Sequence, residues 1–273
     1  MRLGEKNQRA SGDFQLNKRG QIGSWEYTDG GFLSTMSARV WIGECAFHSP
    51  CNTTFLETKE VVSMLQRSLL YFADPMCSWC WGFSPVVQFL QHEFESEIPL
   101  KLVLGGLAPT PDSRVMDEQT KQTIREHWQH VREMSGQSFD FSFFDRQEFT
   151  YCTEPACRAV VAARHLKPDS ALPFLEHLQR SFYTQNLDIT QTSVLGELAE
   201  QLGFVSDAFI ATFESQEVRE ATQRDFLLSR QLQVSGFPTL IAVEGKTGMI
   251  ITAGYQAKEQ VATQLRTWLD EQA

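Results

Sequence analysis

The stretch from about Asp117 to Leu232 keeps a helical hydrophobic period almost throughout, and strand-like segments lie only before and after it. This order constrains the fold more than any other feature of the chain. Before the helical block, Ser68-Leu69-Leu70-Tyr71-Phe72-Ala73 is a short apolar run stopped by Asp74-Pro75, which predicts a buried strand. Phe83, Val87, Leu90 and Phe94 then mark one face of a helix starting near Cys77, with a kink expected at Pro85. Leu100 to Leu107 reads as a second buried strand, closed by Gly105-Gly106. After the block, Pro238–Val243 and Met249–Thr252 flank Glu244-Gly245-Lys246 as a hairpin. Val261, Leu265, Trp268 and Leu269 stripe a terminal helix. The expected order is therefore β-α-β, a block of helices, then β-β-α: an α/β domain of residues 64–116 and 233–273 interrupted by an all-helical insertion, 117–232.

Within the insertion, Ile124, Trp128 and Val131 mark one helix, and Ala156, Cys157, Val160 and Val161 a second. Leu175, Leu178 and Phe182 mark a third, and Val194, Leu195, Leu198 and Leu202 a fourth. Residues 1–63 show no sustained period, so their fold is left open as an N-terminal extension. Charge narrows the function classes. With 24 Lys and Arg against 34 Asp and Glu, a formal net charge of -10 disfavours nucleic acid and anionic membranes as partners. No segment reads as a membrane span, and Met1–Ala10 lacks the apolar stretch of a secretory signal, so a cytoplasmic location is expected.

Six cysteines are too few for a disulfide-framed scaffold, and their spacing is more informative than their number. Cys77-Ser78-Trp79-Cys80 follows a strand and opens a helix. The unpaired N–H groups and positive dipole end at a helix start favour a thiolate, so Cys77 is the expected nucleophile. Cys80, one turn on and more enclosed, is the expected resolving thiol. Ser78 offers a hydroxyl, and Trp79 and Trp81 offer apolar faces for an extended substrate. No Lys, Arg or His lies within the motif, and Asp74 adds a negative charge upstream, so moderate rather than extreme acidity is expected of Cys77. Two other readings stay open: two small buried core residues, or a zinc site completed by Cys152 and Cys157.

The segment Phe72-Ala73-Asp74-Pro75-Met76-Cys77-Ser78-Trp79-Cys80-Trp81-Gly82-Phe83 occurs with Thr153-Glu154-Pro155-Ala156-Cys157-Arg158-Ala159 and Val234-Ser235-Gly236-Phe237-Pro238-Thr239. Together these segments resemble the DsbA-like family, and within it the cytoplasmic FrnE-like branch, often described as protein disulfide isomerases. The resemblance runs from about Met64 to the end. It implies a thioredoxin fold interrupted by a helical domain, a catalytic Cys77–Cys80 dithiol, and a cis Phe237–Pro238 bond facing it. Phe237 would then offer its backbone to an extended substrate as an added strand. Because the family usually begins just before its first strand, residues 1–63 are read as an added region or an upstream start included in the sequence.

The activity expected from these residues is thiol-disulfide exchange of reductase or isomerase type. Its substrates would be disulfide-containing proteins or small thiols, and a thiol reductant system would recycle it. No metal or nucleotide is required, although glutathione could serve as a co-substrate. A glutathione-dependent isomerase or kappa-type transferase on the same fold is the first alternative, disfavoured by the retained dithiol. A zinc-bound or client-holding module without turnover is the second. Cys152 and Cys157 could form an auxiliary disulfide, with Pro155 suiting the first helical position between them, or Cys157 could simply fill an apolar stripe. Cys45 and Cys51 are read as non-functional. His127 and His130 lack an evident third metal ligand, and no dinucleotide, phosphate-loop or Ser-His-Asp signature is present.

Overall fold

The computed structural model describes residues 39–41, 66–110, 116–245 and 247–272. Strand β1 is Arg39–Trp41, β2 is Ser68–Ala73, helix α1 is Ser78–Phe94, and β3 is Leu100–Leu104. Six helices follow: α2 Glu118–Ser135, α3 Glu154–Leu166, α4 Ala171–Gln185, α5 Thr192–Gln201, α6 Ser206–Glu214 and α7 Gln216–Gln231. The chain then returns through β4 Thr239–Glu244, β5 Thr247–Ala253 and α8 Lys258–Glu271. The strands form one sheet in the order β1-β5-β4-β2-β3. Strands β2 and β3 are parallel across the α1 crossover, and the other pairs are antiparallel. This is a thioredoxin fold with helices inserted between β3 and β4, the class expected from the order of elements. Of residues 1–63, only the Arg39–Trp41 strand is described, paired with β5. Cys45, Cys51 and the expectation about an upstream start lie outside the described residues.

The apolar run of β2 is continuous because the strand is buried on both faces. Leu69, Tyr71 and Ala73 join the core shared with α1 and α8, whereas Leu70 and Phe72 pack with Val103, Ile241, Val243 and Leu228 of α7 on the other face. The alternation along one strand thus joins the sheet to both helical layers. The outer edge of β3 is covered chemically as well as sterically. Arg164 of α3 donates to the Leu102 carbonyl, Leu104 N–H donates to Asp225 of α7, and Arg164 and Asp225 pair at 3.0 Å. Backbone groups of an edge strand are thereby satisfied by the insertion.

Strand β3 ends three residues before the expected Leu107, because the chain turns at Gly106 with φ +67°. Helix α1 continues past Pro85 as a single element. The carbonyl that Pro85 cannot serve, that of Trp81, accepts instead from Ser84 Oγ and Gln137 Nε2. In the insertion, α2 starts at Asp117, whose carboxylate accepts Thr120 N–H, and ends at Gly136 with φ +74°. Trp128 of α2 sits among Phe139, Phe143, Phe144 and Tyr183, with ring centroids 4.8 to 5.3 Å away.

Candidate active site

Strands β2 and β3 run in parallel, so their C-terminal ends open on the same side, and α1 begins there. Asp74, the first residue after β2, is fully buried and ties the surrounding loops together. One carboxylate oxygen accepts Met76 N–H at 2.8 Å, and the other accepts Leu107 N–H at 2.7 Å and the Cys157 thiol at 3.4 Å. Burial holds its pKa above the ordinary carboxylate value, against the lowering effect of those hydrogen bonds. Thr153, just before α3, exchanges hydrogen bonds with Ala108 in the same loop. Tyr151 Oη donates to the Met76 carbonyl, fixing the residue before the first cysteine.

Cys77 is the N-cap of α1, with its carbonyl accepting Trp81 N–H at 3.1 Å. No acidic residue lies in the first turn of the helix itself. The Cys77 thiol, 7% exposed, donates to the Phe237 carbonyl at 3.5 Å. Phe237–Pro238 is the one cis peptide bond among the described residues, in the arrangement the family resemblance implied. The Phe237 ring lies over Gly105, where a Cβ would fall 1.9 Å from its Cζ. Cys80, in the first turn of α1, is fully buried. Burial first, and then the neighbouring Cys77, push the Cys80 thiol well above its ordinary pKa. The arrangement therefore holds one nearly buried thiol at the mouth of the helix and its fully buried partner one turn further along.

The other expected site residues divide. Ser78 and Trp79 are half-buried beside Cys77, with Trp79 edge-on to His130 at 5.4 Å and 5.7 Å from Tyr255. Trp81 is placed differently from the substrate-facing position expected of it. It is 3% exposed, stacks on Tyr183 and donates its Nε1–H to the Ser138 carbonyl, so its faces are used within the core. Cys152 and Cys157, like Cys77 and Cys80, are free thiols, and the Cys157 sulfur is turned to Asp74. Helix α3 begins at Glu154, placing Pro155 second rather than first. Among the described residues no group of three or more His, Cys, Asp or Glu is arranged to hold a metal ion. The alternative zinc tetrad of Cys77, Cys80, Cys152 and Cys157 is not among such groups, and His130 lies edge-on to Trp79. Sequence reasoning missed Tyr151 and Gly105, which contact the site across large sequence separations.

A dithiol at the mouth of the first helix of an interrupted thioredoxin sheet, facing a cis-proline loop, defines the DsbA/DsbM-like thiol-disulfide oxidoreductase fold. The family model Thioredoxin_5, described as Thioredoxin, matches residues 70–260, and the chain belongs to that family. A proposed protein disulfide isomerase from Nitrosomonas europaea superposes with a TM-score of 0.71 at 36% identity, covering 76% of this chain and 100% of that one. The cytosolic disulfide reductase DsbM from Pseudomonas aeruginosa superposes at 0.61 with 25% identity, covering 73% and 99%. The ClpXP adapter protein SpxH of Bacillus subtilis is 26% identical over 170 residues, 62% of this chain and 56% of the relative. The chain thus spans little more than half the length of that curated relative. These comparisons bear out the DsbA-like resemblance. No helix of the described residues is long and apolar enough to cross a membrane.

Proposed function

We propose that this protein is a cytoplasmic thiol-disulfide oxidoreductase of reductase or isomerase type, with Cys77 as nucleophile and Cys80 as resolving thiol. The observation that carries this reading is the Cys77 sulfur at the α1 N-terminus, 3.5 Å from the Phe237 carbonyl and one helical turn before the buried Cys80. Cys77 thiolate attacks one sulfur of a substrate disulfide, and the other sulfur leaves as thiolate. Cys80 then attacks the Cys77 sulfur, releasing the second substrate thiolate and closing the Cys77–Cys80 bond. The substrate gains two electrons, and an external thiol reductant such as glutathione returns them to the protein. The Phe237 backbone, whose carbonyl faces the Cys77 thiol, would pair with an extended substrate chain as an added strand. Disulfide-containing proteins and small disulfides are accordingly the proposed substrates.

Insulin reduction tests this reading. Cys77→Ser abolishes turnover, and Cys80→Ser accumulates a mixed disulfide at Cys77. Full activity of the Cys77 variant would exclude the mechanism.

The SpxH relatives favour a second reading, in which the same fold presents a client protein to a protease such as ClpXP. Binding and delivery would then survive loss of both thiols. Client degradation that persists in a Cys77→Ser/Cys80→Ser protein, without redox turnover in the parent protein, supports the adapter reading over the first.

A further inference from the structure

The segment from Tyr151 to Cys157, which leads into α3, takes no part in the exchange cycle above, but it touches the dithiol loop and its neighbours at three places. Thr153 exchanges hydrogen bonds with Ala108, the Cys157 thiol donates to Asp74, and the Tyr151 hydroxyl donates to the Met76 carbonyl. The third contact is the one nearest the nucleophile, because the Met76 carbonyl belongs to the peptide group that enters Cys77. Both ends of that group are held: its N–H, that of Cys77, donates to the Asp74 carbonyl at 3.1 Å, and its oxygen accepts Tyr151.

The Met76–Cys77 bond is trans, since Phe237–Pro238 is the one cis bond among the described residues. In a trans peptide the carbonyl oxygen and the next Cα lie on the same side of the C–N bond, and the sulfur is two bonds beyond that Cα. The oxygen therefore stays within about 6 Å of the Cys77 sulfur in any rotamer. Met76 is buried and Cys77 nearly so, and in such surroundings the negative end of a peptide dipole opposes a thiolate with little screening by water. A donor on that oxygen takes up its negative charge. The Tyr151 hydroxyl keeps its proton for this role, because burial first, and then the charges of Asp74 and the cysteines, hold its ionisation well above the ordinary tyrosine value.

We propose that Tyr151 is a positioning residue for the exchange reaction: reaching in from the helical insertion, its hydroxyl pins the Met76–Cys77 peptide and neutralises the carbonyl that would otherwise oppose the Cys77 thiolate. This inference rests on the dithiol reading above and deepens it, since it makes the insertion set how readily the nucleophile forms. The Tyr151 ring packs edge-on to Phe149 with centroids 6.3 Å apart, so Tyr151→Phe removes the hydroxyl and leaves that contact. The other titratable groups on the surrounding elements are Tyr71 of β2, Asp74 after it, Cys80 of α1, Cys157 of α3, Tyr183 of α4 and, beyond Trp79, His130 of α2. The substitution leaves all of them in place.

Alkylation of Cys77 by iodoacetamide in the full chain, read by peptide mass mapping from about pH 5 to 9, separates formation of the thiolate from its reactivity. Tyr151→Phe should slow the reaction about threefold to tenfold on the acid side, the scale of one lost hydrogen bond. At the alkaline plateau, where the thiolate is fully formed, its rate should stay within about twofold of the parent. Arg158→Lys is the comparison: it weakens the hold of α3 on the Phe213 carbonyl and should lower the melting temperature with the pH profile unchanged. Equal slowing at every pH, no slowing at all, or the same acid-side loss in Arg158→Lys overturns the proposal. If Tyr151→Phe does not fold, 3-fluorotyrosine at position 151, a stronger donor of nearly the same shape, should speed the acid-side reaction, and an unchanged or slower rate overturns the proposal instead. A parent protein whose Cys77 reacts no faster on the acid side than in the unfolded chain would be a different result, removing the nucleophile reading itself.

Discussion

Gly105 is the position where one methyl group is expected to disturb the site most directly. Its Cβ would lie 1.9 Å from Phe237 Cζ and 2.1 Å from Cε1. Ordinary carbon contacts begin near about 3.5 Å, so the ring must retreat by roughly 1.6 Å. Phe237 is only half-buried, so the ring can swing outward instead of compressing the sheet, which places Gly105→Ala in the ordinary overpacking range of about 1–3 kcal/mol. For a chain of this size that corresponds to a drop of about 2–12 °C in melting temperature. Insulin reduction should fall as well, because the displaced loop carries the carbonyl that faces the Cys77 thiol. A double-mutant cycle isolates the cause. With Phe237→Ala in place, the methyl group at 105 meets open space, and the double variant should be more stable than the sum of the single effects by at least about 1 kcal/mol. Additivity within about 0.5 kcal/mol, or a Gly105→Ala protein that melts like its parent, would refute the steric argument.

Two further predictions concern buried charge. Asp225→Ala removes the carboxylate facing Arg164 and leaves Leu104 N–H unmet, and because Arg164 keeps the Leu102 carbonyl and some solvent contact the cost should be about 2–4 kcal/mol in urea melts; less than about 1 kcal/mol would contradict the role given to this pair. Asp74 has a folded-state pKa raised by burial, so the stability it contributes is fully present below the ordinary carboxylate range and is lost as pH rises through the raised value. Melting the parent and Asp74→Asn from about pH 3.5 to 7 should therefore show the parent losing ground to the variant as pH rises, and a pH-independent difference would count against it.

Much of this architecture was readable from local signals. Strand β2 has the limits set by its apolar run and Asp74-Pro75, and the terminal helix buries the four residues of its stripe. No stripe was marked in the sequence for helices α6 and α7, between which only Ser215 stands. The dithiol was legible because its chemistry is local: two cysteines one turn apart at a strand-to-helix junction. Its surroundings were not. Phe237 meets Cys77 across 160 positions and Tyr151 meets Met76 across 75, and periodicity carries no information about such pairs. Trp81 misled because an aromatic residue next to a reactive motif reads the same whether its ring faces solvent or Tyr183. The cis Phe237–Pro238 bond was supplied by family resemblance and not by any local rule.

The central claim is that Cys77 and Cys80 form one exchanging pair. A redox titration in glutathione buffers, with peptide mapping at each potential, tests it directly. The account predicts a single two-electron transition in which the Cys77–Cys80 bond appears while Cys152 and Cys157 stay alkylatable in unfolded samples. A transition that bonds Cys77 to Cys157, or one that leaves Cys80 a free thiol throughout, would contradict it.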